Sequence, residues 1–246
     1  MIHAINHSDW CFVFGSNLAG RHGKGAALTA QRHYGAEHGF GHGHHGMSYA
    51  IPTKDAELNP LSLSEIRHFA ETFKEYAKNN PFITFQLTRV GCGLAGFRDE
   101  LIAPLFFDVT ENVLLPRRWE RMRQPDNVFR LIVAGSRSLS DYQLIESALT
   151  SLLRLKTKSH LVQIVSGGAR GADALGERFA IENGLELIQV PAAWDVFGKS
   201  AGHLRNEAMA WMSDAVVAFW DGRSPGTRKM IDIAKREEIC LRTRFI

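Results

Sequence analysis

The stretch Ser166-Gly167-Gly168-Ala169-Arg170-Gly171-Ala172-Asp173 follows the apolar run 161–165 and leads into a segment of helical period. An apolar run, a glycine turn and a helix form the unit from which parallel α/β sheets are built, with the turn at the carboxyl end of a strand. Two more loops in this half have the same setting. Ala134-Gly135-Ser136-Arg137 ends the run 129–134, and Asp221-Gly222-Arg223-Ser224-Pro225-Gly226-Thr227 follows the run 215–219. Glycine lets backbone approach a phosphate closely, and the helix that follows offers free N–H groups and the positive end of its dipole. Arg137, Arg170 and Arg223 add planar donors matched to phosphate oxygens.

Working outward, short apolar runs near 11–14, 48–51, 82–87, 129–134, 161–165, 185–190 and 215–219 read as strands between helix-period segments. Ser62-x-x-Glu65 is a capping box before Ile66, Phe69, Phe73 and Tyr76, and Ser140-x-x-Gln143 has the same form before Ile145, Ala148, Leu149 and Leu152. The Arg-dense segment 114–127 carries two prolines and precedes a fresh strand. The expected organisation is two three-layer α/β domains, 1–126 and 127–246, since 246 residues exceed the usual single-domain size.

Composition narrows the function classes. The chain is 45% hydrophobic and 22% charged, as in ordinary globular proteins. A net charge of +3 is too small to announce a nucleic-acid protein by electrostatics alone. No apolar run is long enough to span a membrane and no signal-peptide pattern opens the chain, so a cytoplasmic protein without membrane partners is expected. Cys11, Cys92 and Cys240 are widely spaced, which indicates reduced thiols and neither a disulfide framework nor a cysteine zinc site.

The second half resembles the SLOG superfamily, a Rossmann-like group that includes the Lonely-Guy phosphoribohydrolases and the DNA-processing protein DprA. The likeness lies in the GSR loop, the SGGARGAD loop, Trp194-Asp195…Ala201-Gly202-His203-Leu204-Arg205-Asn206 and the Gly226-Thr227 pair, and it spans about 128–246. It implies ligand contacts from Gly135, Ser136, Arg137, Ser166, Gly167, Gly168, Arg170, Gly171, Arg205, Asn206, Gly226 and Thr227. Trp194, near Lys199, is a candidate to stack on a base. Where Lonely-Guy enzymes carry a glutamate after the GT loop, Met230 stands here; Asp173 is the carboxylate singled out to touch a ribose or act as a base.

In the first half, Asn17, Gly23 and Gly25 lie in a loop after the first strand, and Gly91-Cys92-Gly93-Leu94-Ala95-Gly96-Phe97 follows the run 82–87. Two glycine loops facing one sheet edge can clamp a pyrophosphate by backbone N–H groups without a metal. This half, over about 10–112, resembles the macrodomain fold. The likeness implies ADP-ribose, with Asn17 at the distal ribose, Gly23 and Gly25 in the glycine loop, and Gly91, Cys92, Gly93, Gly96 and Phe97 on the diphosphate. Ala50-Ile51-Pro52-Thr53-Lys54-Asp55 is similar to the branch of terminal ADP-ribose glycohydrolases and antitoxins that remove ADP-ribose from DNA, in which a lysine acts on the anomeric carbon; Lys54 matches it. Some members also use an aspartate where this chain has Ala95. His38, His42, His44 and His45 raise a zinc reading, but no acid or cysteine accompanies them, so a flexible lid without metal is expected.

Together these readings lead to an enzyme that cleaves a ribosyl glycosidic bond in an ADP-ribose or NAD-derived nucleotide, or in an ADP-ribosylated macromolecule. The alternative is a non-catalytic sensor or sequestering module, for example in conflict between phage and host. A single-strand DNA binder fits the charge balance less well. No cofactor is expected, and self-association through the second domain is plausible.

Overall fold

The computed structural model describes residues 3–4 and 10–246. They divide into two compact units whose sequence boundary falls between Pro125 and Asp126, with strand β1 (His3–Ala4) belonging to the second. Both units are α/β and carry mainly parallel sheets.

The first unit contains β2 (Trp10–Asn17), α1 (Gly25–His33), β3 (Gly43–His45), β4 (Ser48–Lys54), α2 (Leu63–Asn79), β5 (Thr84–Leu87), α3 (Asp99–Ile102), β6 (Val113–Leu114) and α4 (Arg117–Arg123). Its sheet runs β3-β4-β2-β5-β6, with β3 antiparallel to β4 and the other pairs parallel. Alternation along β2 sends Val13 into the core with Ile66 and Phe73 of α2, and Phe12 and Phe14 to the opposite face with Ala27 and Ala30 of α1. The basic segment after β6 folds as α4, and its Trp119 is fully buried in the same core as α2.

The second unit contains β7 (Val128–Gly135), α5 (Tyr142–Leu153), β8 (Leu161–Ser166), α6 (Ala172–Glu182), β9 (Glu186–Gln189), α7 (Trp194–Phe197), α8 (Ala201–Trp211), β10 (Ala215–Trp220), α9 (Pro225–Arg236) and β11 (Cys240–Phe245). The strand order is β1-β9-β8-β7-β10-β11, and every pair is parallel. Leu131 and Val133 face α5 and α6, while Ile132 and Ala134 face α8 and α9. The chain winds outward from β7 to one side and returns through β10 to the other. The crevice between the carboxyl ends of β7 and β10 is therefore the topological switch point, where sheets of this kind bind ligands.

Some local expectations change. The strand expected from 82 begins at Thr84, because Phe82 is 95% exposed in the turn that precedes it. Helix α2 has its capping box at Ser62 and Glu65. Helix α5 does not begin at Ser140; Asp141 is its N-cap, its carboxylate accepting from the Leu144 amide at 3.1 Å. A carboxylate placed one residue later is the better acceptor for a helix N-terminus.

The histidine-rich segment is a pinned strand and turn rather than a flexible lid. The Gly39 amide donates to Gly20 O at 3.0 Å, and Gly41 lies so close to the backbone of Asn17 and Leu18 that any Cβ would collide. The His42 ring lies 5.0 Å from Phe69, and the His44 ring 5.6 Å from Tyr76, both on α2. Among the described residues no group of three His, Cys, Asp or Glu side chains is placed to hold a metal ion, and no helix is long and apolar enough to cross a membrane.

Candidate functional site

A cavity of about 470 Å³ opens at the switch point of the second unit. Loop ends from β7 supply Gly135, Ser136 and Arg137; α6 supplies Asp173; α8 supplies Arg205, Asn206 and Met209; the segment after β10 supplies Asp221, Gly226, Thr227 and Met230. A wider depression, about 700 Å³, runs along the outer face of α5, but it is lined by exposed helix positions such as Glu146, Thr150 and Arg154. It holds no buried polar group, so the switch point is where ligand chemistry is concentrated.

Arg205 organises the cavity. Its side chain is only 10% exposed; Nη1 donates to the Gly167 carbonyl and lies 3.8 Å from Asp173 Oδ2. Burial lowers the guanidinium pKa against the opposing pull of Asp173, and burial raises the Asp173 carboxyl against that of Arg205. Each charged form is thus disfavoured by its surroundings even with the partner present, an arrangement typical of functional sites. Two buried atoms in the cavity walls have no hydrogen-bond partner: Arg205 Nε and Thr227 Oγ1. Thr227 is 4% exposed and sits in the first turn of α9. Unpaired buried donors of this kind are destabilising unless something else supplies the missing acceptor.

In the SGGARGAD loop, two of the amides are engaged within the loop itself. Gly168 N donates to Ser166 Oγ at 3.1 Å, and Ala169 N to Asp173 Oδ2 at 3.4 Å. Ser166 is fully buried and donates to Glu177 Oε1 at 2.6 Å, and Gln189 Nε2 donates to Glu177 Oε2 at 3.1 Å. Ser166, Gly167, Gly168, Arg170 and Gly171 lie outside the lining of this cavity. Gly171, at φ 78°, begins α6 where a Cβ would overlap the Ser136 carbonyl, which accepts from Ala172 N at 3.2 Å. Trp194 is 53% exposed on α7 and, like the exposed Lys199, is not part of the cavity wall.

Asp221 was not singled out by sequence reasoning, although Asp-x-x-Ser after a strand is a recognisable side-chain turn. Its Oδ1 accepts from Arg223 N at 2.9 Å and Ser224 N at 2.7 Å, and its Oδ2 from Ser224 Oγ at 2.6 Å. The Ser224 hydroxyl and these amides hold its carboxyl far below the usual range.

In the first unit, Asn17 and Lys54 are register neighbours at the ends of β2 and β4. The Asn17 side chain closes its own loop, donating to Arg21 O at 2.8 Å and accepting from Arg21 N at 3.1 Å, so its amide is already engaged. Lys54 is half-buried and has no ion-pair partner among the described residues. Beside them lies a residue that sequence reasoning missed. His22 is 2% exposed, with Nε2 3.1 Å from Ser16 Oγ and Nδ1 unpartnered, and burial lowers its pKa.

The loop 91–97 turns back on itself through Gly96 N to Gly93 O at 2.9 Å and Phe97 N to Gly91 O at 3.0 Å. Its base is anchored by Asp99, 3% exposed, which accepts from Arg89 Nη2 at 2.6 Å and Trp119 Nε1 at 2.6 Å and pairs with Arg118 at 3.1 Å. Burial works against the Asp99 charge, but these donors outweigh it and keep the pKa below normal. Burial and the nearby Asp99 push the Cys92 thiol up to about 12, so it is not a thiolate nucleophile at neutral pH. Gly23 and Gly93 have open space where a Cβ would be.

In comparison with known proteins, residues 129–197 fit the YspA, cpYpsA-related SLOG family. The Gene 61 protein of Mycobacterium phage D29 is 35% identical over 116 residues, which cover 45% of this chain and 91% of that protein. Among solved structures, the DNA processing protein A of Helicobacter pylori, described for its single-stranded DNA binding mode, is similar at 18% identity and a TM-score of 0.37. That likeness covers 47% of this chain and 64% of the other. DprA from Streptococcus pneumoniae is similar at 17% identity and a TM-score of 0.41, over 74% of this chain and 86% of the other.

Proposed function

Since the chain belongs, through the domain containing residues 129–197, to the YspA, cpYpsA-related SLOG family, we propose that this domain binds a phosphate-bearing nucleotide in the switch-point cavity. The observation that carries this reading is the pair of unpartnered buried donors, Thr227 Oγ1 and Arg205 Nε, in the walls of one cavity. A phosphate placed there receives both, together with Arg137 at the cavity edge and the free amides of the first turn of α9. Met209, Met230 and Ala134 supply the apolar wall for a sugar or base. Asp173 is held by Arg205 and by loop amides, and Met230 offers no proton, which favours binding over turnover in this domain.

Thr227→Val tests the reading because it removes a hydroxyl without changing side-chain shape much. Nucleotide affinity should fall roughly tenfold to a hundredfold, the scale of one hydrogen bond to a charged group. The melting temperature should stay level or rise, since a buried unsatisfied group is lost. Titration calorimetry and differential scanning fluorimetry read the two effects. Unchanged affinity in a folded variant would remove the phosphate from this cavity.

A second reading concerns the first domain, which we propose takes an ADP-ribose-class ligand between the loops around residues 17–25 and 91–97. Its support is Lys54, half-buried beside Asn17 and free of carboxylate partners among the described residues. An amine in that position is suited to act at an anomeric carbon. Release of ADP-ribose from an ADP-ribosylated DNA or protein by the full chain, lost in Lys54→Ala, is the expected result. No release by the wild-type chain would leave this domain a binding module.

A further inference from the structure

We propose that Asp221 limits the charge of the ligand at the switch-point cavity, so that the site admits a single phosphate ester and rejects a pyrophosphate. This rests on the phosphate reading above and names which phosphate-bearing class fits. A cavity intended for a diphosphate offers two clusters of free donors. Here both amide clusters that flank the cavity already hold a carboxylate of the protein itself. Asp173 fills the turn after β8, accepting from Ala169 N, and Asp221 fills the turn before α9, accepting from Arg223 N and Ser224 N. Each acts as an internal anion in the place an external one would take.

The donors that remain form one cluster. Pro225 has no N–H, so the first turn of α9 is left with Gly226 N, Thr227 N and the unpartnered Thr227 hydroxyl, and Arg205, whose Nε is also unpartnered, lines the same cavity. The charges of the lining residues balance, with Arg137 and Arg205 against Asp173 and Asp221. One phosphate pairs with the two arginines. A second phosphate meets the Asp221 carboxylate in the same lining, whose charge the donors of its own turn stabilise. Like charges at contact in a partly desolvated cleft repel strongly.

The test is titration calorimetry on the full chain with AMP and ADP, for the wild type, Asp221→Asn and Arg205→Met. Heat that vanishes in Arg205→Met, at a temperature where circular dichroism shows the variant folded, reports this cavity and excludes binding elsewhere in the chain. AMP should bind at least tenfold more tightly than ADP in the wild type, a ratio that needs no variant. Asp221→Asn keeps the acceptor for the turn and removes the charge, and should bring ADP to within a few-fold of AMP. Arg205-dependent binding of ADP as tight as AMP overturns the charge limit while leaving the phosphate site standing, and so does an AMP to ADP ratio unchanged in Asp221→Asn. Absence of binding by both nucleotides at millimolar concentration overturns the phosphate site and this inference together.

Discussion

Arg205→Met is expected to destabilise the second domain by about 3–5 kcal/mol, the scale for breaking a buried ion pair from one side. The substitution keeps much of the side-chain volume, so the loss arises from the Asp173 carboxylate left buried with only loop amides for company. Arg205→Met combined with Asp173→Asn removes both charges and retains an acceptor for Ala169 N. It should recover most of the loss, making the two substitutions strongly non-additive. Neither variant should bind a nucleotide in the switch-point cavity. The pH dependence has a definite sign. Asp173 has its folded pKa raised, so its contribution is favourable below the unfolded carboxylate value and is lost as pH rises through the folded one. Removing Arg205 raises that pKa further, and the stability gap to the wild type should narrow as pH falls toward the carboxylate range. Denaturant titration at several pH values measures it. A gap that is small at neutral pH, or a double variant as unstable as the sum, would contradict this account of the pair.

In the first domain the corresponding prediction is Asp99→Ala. Asp99 gathers Arg89, Arg118 and the Trp119 indole at the foot of the loop 91–97. Its loss leaves the buried Trp119 indole N–H without its acceptor and takes a buried carboxylate away from Arg89 and Arg118, at a cost of about 3–5 kcal/mol. Because the folded pKa of Asp99 is lowered, its stabilisation is present above the unfolded carboxylate value and is lost as pH falls through the folded one. Calorimetry of the full chain should show the transition of the first domain moving down and that of the second unmoved. Binding of ADP-ribose-class ligands should weaken in parallel, since Arg89 tethers the loop. A variant with a normal first transition would mean that the loop is held by other contacts.

The parallel α/β architecture was legible because strand, glycine turn and helix follow one another with clear changes of period. Strands β3 and β6, with three and two residues, are too short to show a period at all. The site was legible in part. Arg137, Arg205 and Thr227 meet in one cavity, as their place at strand and helix ends suggests. That Ser166 and the glycines after it lie outside the lining of this cavity was not readable, because it depends on Ser166 turning toward Glu177, eleven residues away on α6. The same holds for Asp173 and Asp221, since a carboxylate that fills its own turn and one that faces a ligand share a sequence pattern and differ only in a side-chain torsion. Glycines interleaved with histidines suggested mobility at 38–46, yet Gly41 meets a backbone contact that only glycine tolerates, and Gly39, Gly43 and Gly46 take positive φ.

The most direct test of the central claim is a crystal of the full chain soaked with AMP. The phosphate is expected between Arg205 and Thr227, within hydrogen-bonding distance of Thr227 Oγ1 and in reach of Arg137, with the sugar along Met209 and Met230. A phosphate bound elsewhere, with Thr227 Oγ1 and Arg205 Nε still unpartnered, would contradict it.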